Sequence, residues 1–306
     1  MKGSDHTLVF HRGRFADAAR KRVPVLERGF LYGDGVFETL RTYARRPFHL
    51  TAHLARLRRS ASALGITLTQ KDTALARVVA DGISKIADGE ATVREVSVRM
   101  VATRGVSALT YTPPDQPHPE LYVFFSPLPP RKGEVIERGV SVLTLVEEKP
   151  ARFATVKLMN GVPSILALAT ARERGAYEVL RVARDGRVLE GFISNVFAVR
   201  GRTLTTPPVA DGVLDGVTRS VVLQVARTRH KGSRGLEVRE ESLELARALT
   251  SDELFLTHTS AGVVPVVAVD DRPIGSGRPG DVTRELSGWF ESLPAHPDRV
   301  AGETFS

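Results

Sequence analysis

A proline-rich polar stretch, SPLPPRKGE at 126–134, interrupts a chain that otherwise consists of short strand-like runs and amphipathic helices. Closely spaced prolines with a glycine favour turns and extended backbone over a helix or an inner strand. The 306 residues are enough for two ordinary domains. We therefore expect a small N-terminal α/β domain over residues 1–126, an interdomain linker over 127–134 and a larger C-terminal domain over 135–306 that carries Lys157.

Hydrophobic periodicity predicts strands and helices on both sides of this stretch. In the N-terminal part the predicted strands are 8–10, 36–43, 93–103 and 121–125, with helices at 50–64 and 73–87. In the C-terminal part the predicted strands are 140–146, 178–183, 194–199, 253–256 and 263–269, with helices near 164–174, 218–229 and 282–290. Thr51 is expected to cap the helix at 50–64. The fold class predicted from this alternation is α+β.

Composition excludes several kinds of chemistry. The chain has no cysteine, so disulfides, thiolate metal sites and a cysteine nucleophile are ruled out, and no metal site is predicted. It has no run of about 18 uncharged apolar residues, and its N-terminus lacks the apolar stretch of a secretory signal. We therefore expect a soluble cytoplasmic protein with no membrane partner. The formal charge of +8 comes mostly from scattered arginines without interleaved aromatic residues, so nucleic-acid binding is not expected.

One lysine lies in apolar surroundings. Lys157 belongs to FATVKLMNGVPSILALA, with Val156 and Leu158 beside it, whereas the other lysines have polar or turn-forming neighbours or fit an outer helix face. A lysine that attacks an aldehyde must do so as the neutral amine, which partial desolvation favours. A strand-end lysine whose ammonium group reaches solvent fits the same local pattern. The segment alone leaves both interpretations open.

Five other segments occur in a fixed order around the lysine segment. They are ERGFLYGDGVFETLRTY at 27–43, HLARLRRSASALGI at 53–66, VLEGFISNVFAV at 188–199, TTPPVADGVLDGVTRSVV at 205–222 and FLTHTSAGVVPV at 255–266. Together they resemble the class IV aminotransferases, the fold-type IV family of pyridoxal-phosphate enzymes, over about residues 8–274. The resemblance implies a two-domain fold-type IV α+β architecture, with pyridoxal 5′-phosphate as the cofactor at the domain interface.

The resemblance also assigns roles to residues around the cofactor ring. Lys157 matches the lysine that forms the Schiff base with the cofactor and, once released by substrate, moves a proton as acid and base. Glu190 matches the glutamate that pairs with the pyridine nitrogen and keeps it protonated. Ser194 is expected beside the cofactor, and Asn195 is expected to be mainly a structural turn residue.

A phosphate group needs cations and backbone N–H donors. Gly216 permits a sharp turn, and Val217 and Thr218 open an apolar-periodic helix whose free N–H groups suit an anion. An ordinary threonine-capped helix has the same pattern. The resemblance adds Arg56 as the charged phosphate ligand and Thr259 as a hydroxyl donor. An exposed helix position is the alternative for Arg56.

The GDGVFET segment matches neither a Walker loop nor a dinucleotide fingerprint. Phe37 and Thr39 alternate with Glu38 in the strand period, so they share a face, which in the resembled family points into the substrate pocket. Ser260, next to Thr259, is also expected to contact substrate.

The ligand for the substrate carboxylate departs from the family pattern. D-amino-acid aminotransferases usually carry an Arg-x-His pair after a TRG turn, and the matching positions here are Leu109 and Tyr111. The resemblance thus leaves the carboxylate without its usual partners. We expect Arg99, Arg104 or Tyr111 to take their place.

The preferred hypothesis is an aminotransferase that works by a ping-pong mechanism on small D-amino acids or (R)-amines, with a 2-oxo acid as acceptor. Val162 stands where branched-chain aminotransferases usually have a tyrosine, which argues against that class. The alternatives are a branched-chain aminotransferase, an aminodeoxychorismate lyase that releases pyruvate, and a non-enzymatic relative that keeps the fold. The joint presence of Lys157, Glu190 and Arg56 argues against the last of these. Members of the family are usually homodimers, so a homodimer is expected.

Overall fold

The computed structural model describes residues 7–89, 93–130, 133–229 and 235–301. Their contacts form two compact units. The first unit holds the described residues up to Pro130, the stretch Val156–Asn160 and residues 294–301, and the second holds the other described residues. The lysine segment therefore groups with the first unit. The division expected from the sequence stays a prediction, and residues 131–132 of the expected linker lie outside the described residues.

The first unit is built on an antiparallel sheet. Its strands are β1 (Leu8–His11), β2 (Arg14–Asp17), β3 (Gly35–Tyr43), β4 (Arg46–Pro47), β5 (Val96–Thr103) and β6 (Glu120–Pro127). Their spatial order is β2-β1-β6-β5-β3-β4. The helices α1 (Arg28–Tyr32), α2 (Leu50–Ala63) and α3 (Asp72–Gly89) complete this part of the chain.

Helix α2 packs on this sheet because its apolar residues recur at helical spacing. Leu54, Leu57 and Ala61 are almost completely buried, and α2 lies against β3. Strand alternation then gives the sheet two different faces. In β5, Val98 and Met100 are fully buried, whereas Arg99 between them is exposed on the opposite face.

The second unit is built on a ten-stranded mixed sheet. Its strands are β7 (Val140–Val146), β8 (Glu178–Val182), β9 (Arg187–Gly191), β10 (Asn195–Arg200), β11 (Thr203–Thr206), β12 (Glu237–Glu240), β13 (Leu243–Glu244), β14 (Glu253–His258), β15 (Gly262–Val269) and β16 (Arg272–Pro273). The order is β12-β11-β10-β14-β15-β7-β8-β9-β13, and β16 pairs with β15. The helices are α4 (Gly133–Arg138), α5 (Val162–Glu173), α6 (Val217–Arg229), α7 (Leu245–Leu249) and α8 (Asp281–Ser292); a last helix, α9 (Pro297–Ala301), belongs to the first unit.

The core of the second unit lies along its central strands. Val196 of β10, Leu256 of β14 and Val264 of β15 are completely buried in one apolar cluster. Helix α8 covers β14 and β15 and buries Trp289 and Phe290. Burial of each such large side chain stabilises the fold by roughly 1.5–3 kcal/mol. The sheet therefore gives a rigid base to the loops at its strand ends.

The α+β class predicted from the sequence is confirmed, and the strongly periodic elements lie close to their predicted positions. The N-cap assignment to Thr51 is wrong. Helix α2 begins at Leu50, and its N-cap residue is His49, which has a left-handed backbone with φ 49° and makes no side-chain cap bond. The backbone N–H of His49 donates to the carbonyl of Val300 at 3.0 Å. This contact from the far end of the chain sets the start of the helix.

Candidate active site

Lys157 is held by backbone bonds on a short segment that runs beside β3. The carbonyl of Lys157 accepts from Phe37 N at 3.0 Å, and Met159 N donates to the carbonyl of Gly35 at 3.0 Å. The N–H of Lys157 itself donates to Ser60 Oγ on α2 at 3.3 Å. The lysine side chain is partly buried, and its Nζ lies 4.5 Å from the centre of the Phe37 ring. The backbone around the lysine is thus fixed on two sides.

Gly35 is required for this close approach. A Cβ at this position would lie 2.5 Å from the carbonyl oxygen of Ala102 and 2.6 Å from Met159 Sδ. Both distances are well below van der Waals contact, and the first involves backbone that cannot move aside. The first residue of β3 therefore has to be glycine for the lysine segment to pair with the strand.

A buried ion cluster lies on the face of β3 that packs against helix α2. Arg56 of α2 donates to both oxygens of Glu38, from Nε at 2.6 Å and from Nη2 at 2.9 Å, and Nδ1 of His53 lies 2.8 Å from Glu38 Oε2. Burial alone would raise the pKa of Glu38, but the hydrogen bonds from Arg56 and His53 outweigh it and lower this pKa to about 2. The pKa of His53 is lowered by burial, which prevails over its bond to Glu38, and the charge of Lys157 lowers it further. The exposed-helix alternative for Arg56 is wrong, because its side chain is buried.

The residues of the first unit that are expected to contact substrate include Phe37, Thr39 and Arg99, which lie on the open face of the sheet. The strand register places Thr39 opposite Arg99 and Phe37 opposite Val101. The guanidinium carbon of Arg99 lies 4.1 Å from the centre of the Phe37 ring. Phe37 and Thr39 are both partly buried and share this face, as strand alternation requires.

A pocket of about 410 Å³ opens on this face. Arg99 and Glu27 line it together with apolar and aromatic walls that include Val101, Phe124 and Met159. Although Arg99 is exposed as a whole residue, partial desolvation of its guanidinium lowers its pKa, and within the described residues no carboxylate pairs with that guanidinium. An unpaired cation among apolar walls is the composition expected for binding a small carboxylic acid.

The two other candidates for the carboxylate are placed differently. Arg104 is buried and is bound to Asp34, with Nε 2.8 Å from Oδ2. Tyr111 is 85% exposed and is not among the residues that line the pocket; its ring packs 5.1 Å from that of Tyr32. Of the three candidates, Arg99 alone is an unpaired cation in the pocket.

In the second unit, Glu190 is 4% exposed at the end of β9. Its Oε2 accepts from Leu214 N at 2.8 Å and from Asn195 Nδ2 at 3.4 Å. Lys149, which sequence reasoning missed, forms an ion pair with Oε1. The carboxylate is thus fixed in orientation, and one of its oxygens faces a cation.

Asn195 connects the Glu190 segment to the turn before α6. Its Nδ2 donates to the carbonyl of Leu214 at 2.9 Å. A Cβ on Gly216 would lie 2.0 Å from Asn195 Oδ1, so the turn passes the asparagine only because residue 216 is glycine. These contacts agree with a structural role for Asn195. Val217 and Thr218, both buried, then begin the 13-residue helix α6, whose first N–H groups have no acceptor within the helix.

A second buried carboxylate, Glu178, was missed by sequence reasoning. It is completely buried at the start of β8, and it accepts from Ile193 N at 2.7 Å and from Ser194 Oγ at 2.9 Å. Burial raises its pKa to about 7, and the charge of Glu190 contributes in the same direction. Glu178 therefore fixes the turn between Glu190 and Asn195. In the sequence, the available signal for Glu178 was a single glutamate at the start of the strand EVLRV.

Thr259 and Ser260 lie in the tight turn between β14 and β15, where His258 pairs with Gly262. Thr259 is partly buried and Ser260 is exposed. Next to them, Thr257 Oγ1 is buried without a hydrogen-bond partner among the described residues. The turn presents hydroxyl groups at the end of a rigid strand pair.

The family model for amino-transferase class IV matches residues 35–269, which is most of the chain. The chain belongs to the class IV aminotransferases. It is 34% identical over 285 residues to a Methanocaldococcus jannaschii protein named provisionally as a branched-chain-amino-acid aminotransferase, covering 93% of this chain and 96% of that protein. It is 30% identical over 280 residues to the D-alanine aminotransferase of Bacillus licheniformis, covering 91% and 94%.

Solved structures of the family share the fold of this aminotransferase. The crystal structure of the Escherichia coli branched-chain amino acid aminotransferase is 26% identical, has a TM-score of 0.84, and covers 98% of this chain and 96% of its own. Another branched-chain amino acid aminotransferase, solved with pyridoxamine 5′-phosphate, is 27% identical with the same TM-score of 0.84 and covers 97% of this chain and 95% of its own. The fold-type IV assignment made from the sequence is thereby confirmed, and pyridoxal phosphate is the cofactor of the family.

The side chains of this aminotransferase fit that cofactor chemically. The first unit supplies an amine on a fixed backbone, Lys157, and a buried guanidinium, Arg56. The second unit supplies an oriented carboxylate, Glu190, and the N-terminus of α6 with a glycine before it. An aldehyde, a phosphate and a ring nitrogen need donors of these kinds.

Two other kinds of site are absent from the described ranges. No group of three or more metal-ligating side chains lies together there. No helix in those ranges combines the length and the hydropathy needed to cross a bilayer. The cytoplasmic location stays a prediction.

Proposed function

We propose that this class IV aminotransferase moves the amino group of a small apolar amino acid to a 2-oxo acid, with Arg99 as the ligand of the substrate carboxylate and D-amino acids as the preferred donors. The observation that carries the proposal is the unpaired guanidinium of Arg99 in a pocket with apolar walls. A carboxylate pairs with the cation, and a hydrocarbon side chain packs on Val101 and Phe124.

When bound, pyridoxal phosphate supplies the aldehyde that takes up the amino group and a ring that accepts the electron pair of the broken C–H bond. Lys157 would hold the cofactor through Nζ, and the same amine, when not bonded to the cofactor, would take the proton from the amino-bearing carbon of the substrate and give it back as an acid. The Phe37 ring, 4.5 Å from Nζ, packs against one side of the amine and restricts its position.

The other proposed cofactor ligands would bind and orient the cofactor without taking part in proton transfer. Glu190 is the partner of the pyridine nitrogen, and its orientation is set by the bonds from Leu214 and Asn195. The proposed phosphate ligands are Arg56, Thr259 and the N–H groups of Val217 and Thr218, and Ser194 is the residue proposed to stand beside the ring. Charged and backbone donors of this kind suit a phosphate dianion.

The handedness of the donor is the finer part of the proposal. Val162 in place of the usual branched-chain tyrosine supports D-amino acids, and (R)-amines are accepted if the carboxylate contact is dispensable. An L-branched-chain aminotransferase is the second candidate, favoured by the Methanocaldococcus jannaschii relative and by the solved Escherichia coli structure. The named relatives are aminotransferases, which favours amino transfer over the lyase reaction.

Single-turnover half-reactions of the holoenzyme with D-alanine, L-leucine and (R)-phenylethylamine test this proposal. We expect D-alanine to convert the cofactor to its amino form at least tenfold faster than L-leucine at equal concentration. Conversion by L-leucine alone would replace the D-specific proposal with the branched-chain one. Pyruvate release from aminodeoxychorismate without an amino acceptor would instead establish the lyase.

The same assay measures the contribution of Arg99. A hydrogen-bonded ion pair with a carboxylate contributes about 1.5–3 kcal/mol, so Arg99→Met is expected to lower kcat/KM for the amino acid roughly 10- to 160-fold. Activity on (R)-phenylethylamine, which has no carboxylate, should change little. Arg77→Met is the matched control, because Arg77 is exposed on α3. Equal losses of kcat/KM for both donors would show that Arg99 is not the ligand of the substrate carboxylate.

We also propose that the protein is a homodimer. Val25, Phe30, Leu109 and Tyr111 are each at least 69% exposed. They lie on two segments of the first unit that are joined by the bridge between Glu27 and Val106, and we propose that they contribute to one apolar surface. A patch of this kind usually marks an interface. Sedimentation equilibrium of the 33.3-kDa chain should give a dimer, and Leu109→Glu should weaken it; a wild-type monomer at micromolar concentration would contradict the proposal.

A further inference from the structure

We propose that Glu178 is a positioning residue for Glu190: it holds the turn at 191–194 as a neutral carboxyl group, so that Glu190 stays the single anion of the pair. The inference rests on the proposed function, in which Glu190 is the partner of the pyridine nitrogen. It gives a role to a buried acid that lies outside the segments that carry the family resemblance. Both glutamates, and the turn that joins them, belong to the second unit.

The carboxyl group of Glu178 lies inside the turn between β9 and β10. Ile193 N donates to Oε1 at 2.7 Å, and Oε2 lies 2.9 Å from Ser194 Oγ. A Cβ on Gly191 would lie 2.4 Å from Glu178 Oε1 and 2.3 Å from Ser194 Oγ, so only glycine leaves room for the acid here. Because Gly191 directly follows Glu190, the turn brings the two acids close enough for the charge of Glu190 to act on Glu178.

The two carboxyl groups differ in their partners. Glu190 forms an ion pair with Lys149 and accepts from Leu214 N at 2.8 Å. Glu178 is completely buried, and among the described residues no cation pairs with it. A buried carboxylate without a cation is costly, and a second anion nearby adds to this cost. When the two acids share one proton, it is therefore held by Glu178.

The elements packed against β8 do not compensate a charge on Glu178. Strand β7 places Val142 opposite it. The residues that α5 buries are Ala167 and Ala171. The charged side chain that acts on Glu178 is Glu190 on β9, which disfavours a second negative charge.

The protonated acid fits the contacts of the turn. Burial raises the pKa of Glu178 to about 7, against the hydrogen bonds that the turn donates and with the help of the charge of Glu190. A hydroxyl hydrogen can turn, so either oxygen can supply the hydrogen between Glu178 Oε2 and Ser194 Oγ. In the neutral acid, Oε1 still accepts from Ile193 N and Oε2 donates to the serine. The turn thus keeps its contacts, and Glu190 keeps the negative charge that suits a protonated ring nitrogen.

Infrared spectroscopy of the holoenzyme detects this proton directly, because a protonated carboxyl group absorbs apart from a carboxylate. We expect the wild type to show a carboxylic acid band at about pH 6 that is lost by about pH 8.5 and is absent from Glu178→Gln. Despite burial, hydrogen bonds from their partners lower the pKa values of Glu38 and Glu120, so these two acids are ionised at that pH. A wild-type enzyme without the band would overturn the inference, even if the variant failed to fold.

A pH profile of stability separates this role from a merely structural one. The folded-state pKa of Glu178, about 7, lies above the ordinary 4.5, so the stability that its proton contributes is present below pH 4.5 and is lost as the pH rises toward 7. Glu178→Gln keeps an oxygen for Ile193 N and an N–H donor for Ser194 and has no proton to lose. In urea unfolding, the unfolding constant of the wild type relative to this variant should rise at least about tenfold between about pH 5 and pH 7.5.

The matched control for this profile is Glu173→Gln, because Glu173 is exposed at the end of α5. The unfolding constant of the wild type relative to this control should stay nearly constant over the same range. A constant ratio for Glu178→Gln as well would show that Glu178 is ionised throughout, and it would overturn the inference.

The connection to Glu190 is tested by equilibrium titration of the apoprotein with pyridoxal phosphate at about pH 7. We expect Glu178→Gln to bind with nearly wild-type affinity. Glu178→Leu, which leaves Ile193 N without its acceptor, should bind at least about tenfold more weakly. An equal weakening in both variants would show that Glu178 acts as an anion, against the inference. Unchanged affinity in Glu190→Gln would instead refute the proposed role of Glu190, whatever the infrared result for Glu178.

Discussion

Replacing Lys157 with alanine is expected to lower the rate of amino transfer by at least about 10³-fold. Loss of the amine removes both the covalent anchor of the cofactor and the group that moves the proton, and general acid and base catalysis alone contributes about 10²- to 10⁴-fold. The fold should persist, because the backbone bonds of Lys157 to Phe37 and Ser60 do not involve the ammonium group. Stopped-flow measurement of the half-reaction gives the rate.

A labelling experiment provides a second, independent measurement. Borohydride reduction of the holoenzyme, followed by peptide mapping, should place the pyridoxyl label on Lys157 alone and remove it in Lys157→Ala. Lys85→Ala is the matched control: Lys85 is on α3, where its Nζ lies 5.4 Å from the centre of the Phe15 ring. A label on another lysine, or on none, would refute the assignment of Lys157.

Local patterns were sufficient for the elements with strong periodicity. The spacing of Leu54, Leu57 and Ala61 predicted α2, and β3 and β5 followed from alternation. Short strands such as β9, β11, β12 and β13 were not predicted as strands, because two to five residues give too little periodicity and their pairing is decided by the sheet.

The parts of the site that sequence could not supply depend on distant contacts. Glu178 holds a turn because it accepts a hydrogen bond from Ile193. His258 forms its hydrogen bond with Tyr177, which is 81 positions away in the chain. Neither partner is visible in the local sequence. Lys157 and Glu190 could be selected because each lies in a motif with a recognisable order. Arg56 is buried against Glu38 because α2 packs on β3, and the local sequence does not reveal this packing.

Glu38→Gln is expected to cause the largest loss of stability among substitutions outside the apolar core. Glu38 is completely buried and is the shared partner of Arg56 and His53. Removing one member of a buried ion pair leaves the other charge uncompensated, and it typically costs about 3–5 kcal/mol. Urea unfolding at pH 7 measures the change. Glu134→Gln is the control, because the pair of Glu134 with Arg138 is exposed and contributes at most about 1 kcal/mol.

The pH dependence of this loss has a definite sign. The folded-state pKa of Glu38, about 2, lies below the 4.5 of an ordinary glutamate, so the unfolded state binds more protons between these values. The stability that the carboxylate contributes is complete above about pH 4.5 and is lost as the pH falls toward 2, by roughly 3 kcal/mol in total. The difference between wild type and Glu38→Gln should therefore shrink below pH 4.5. A difference that stays constant from pH 7 to pH 3 would show that the pair does not act through its charge.

A double substitution separates the two roles of Arg56. Buried ion pairs can often be replaced by apolar residues of similar volume without loss of stability. Glu38→Leu with Arg56→Met should therefore recover much of the stability lost in Glu38→Gln, although His53 still loses its partner. If Arg56 is also a phosphate ligand, this recovered variant will bind pyridoxal phosphate at least tenfold more weakly, as equilibrium titration of the apoprotein measures. Unchanged affinity in a stably folded double variant would limit Arg56 to holding α2 against β3.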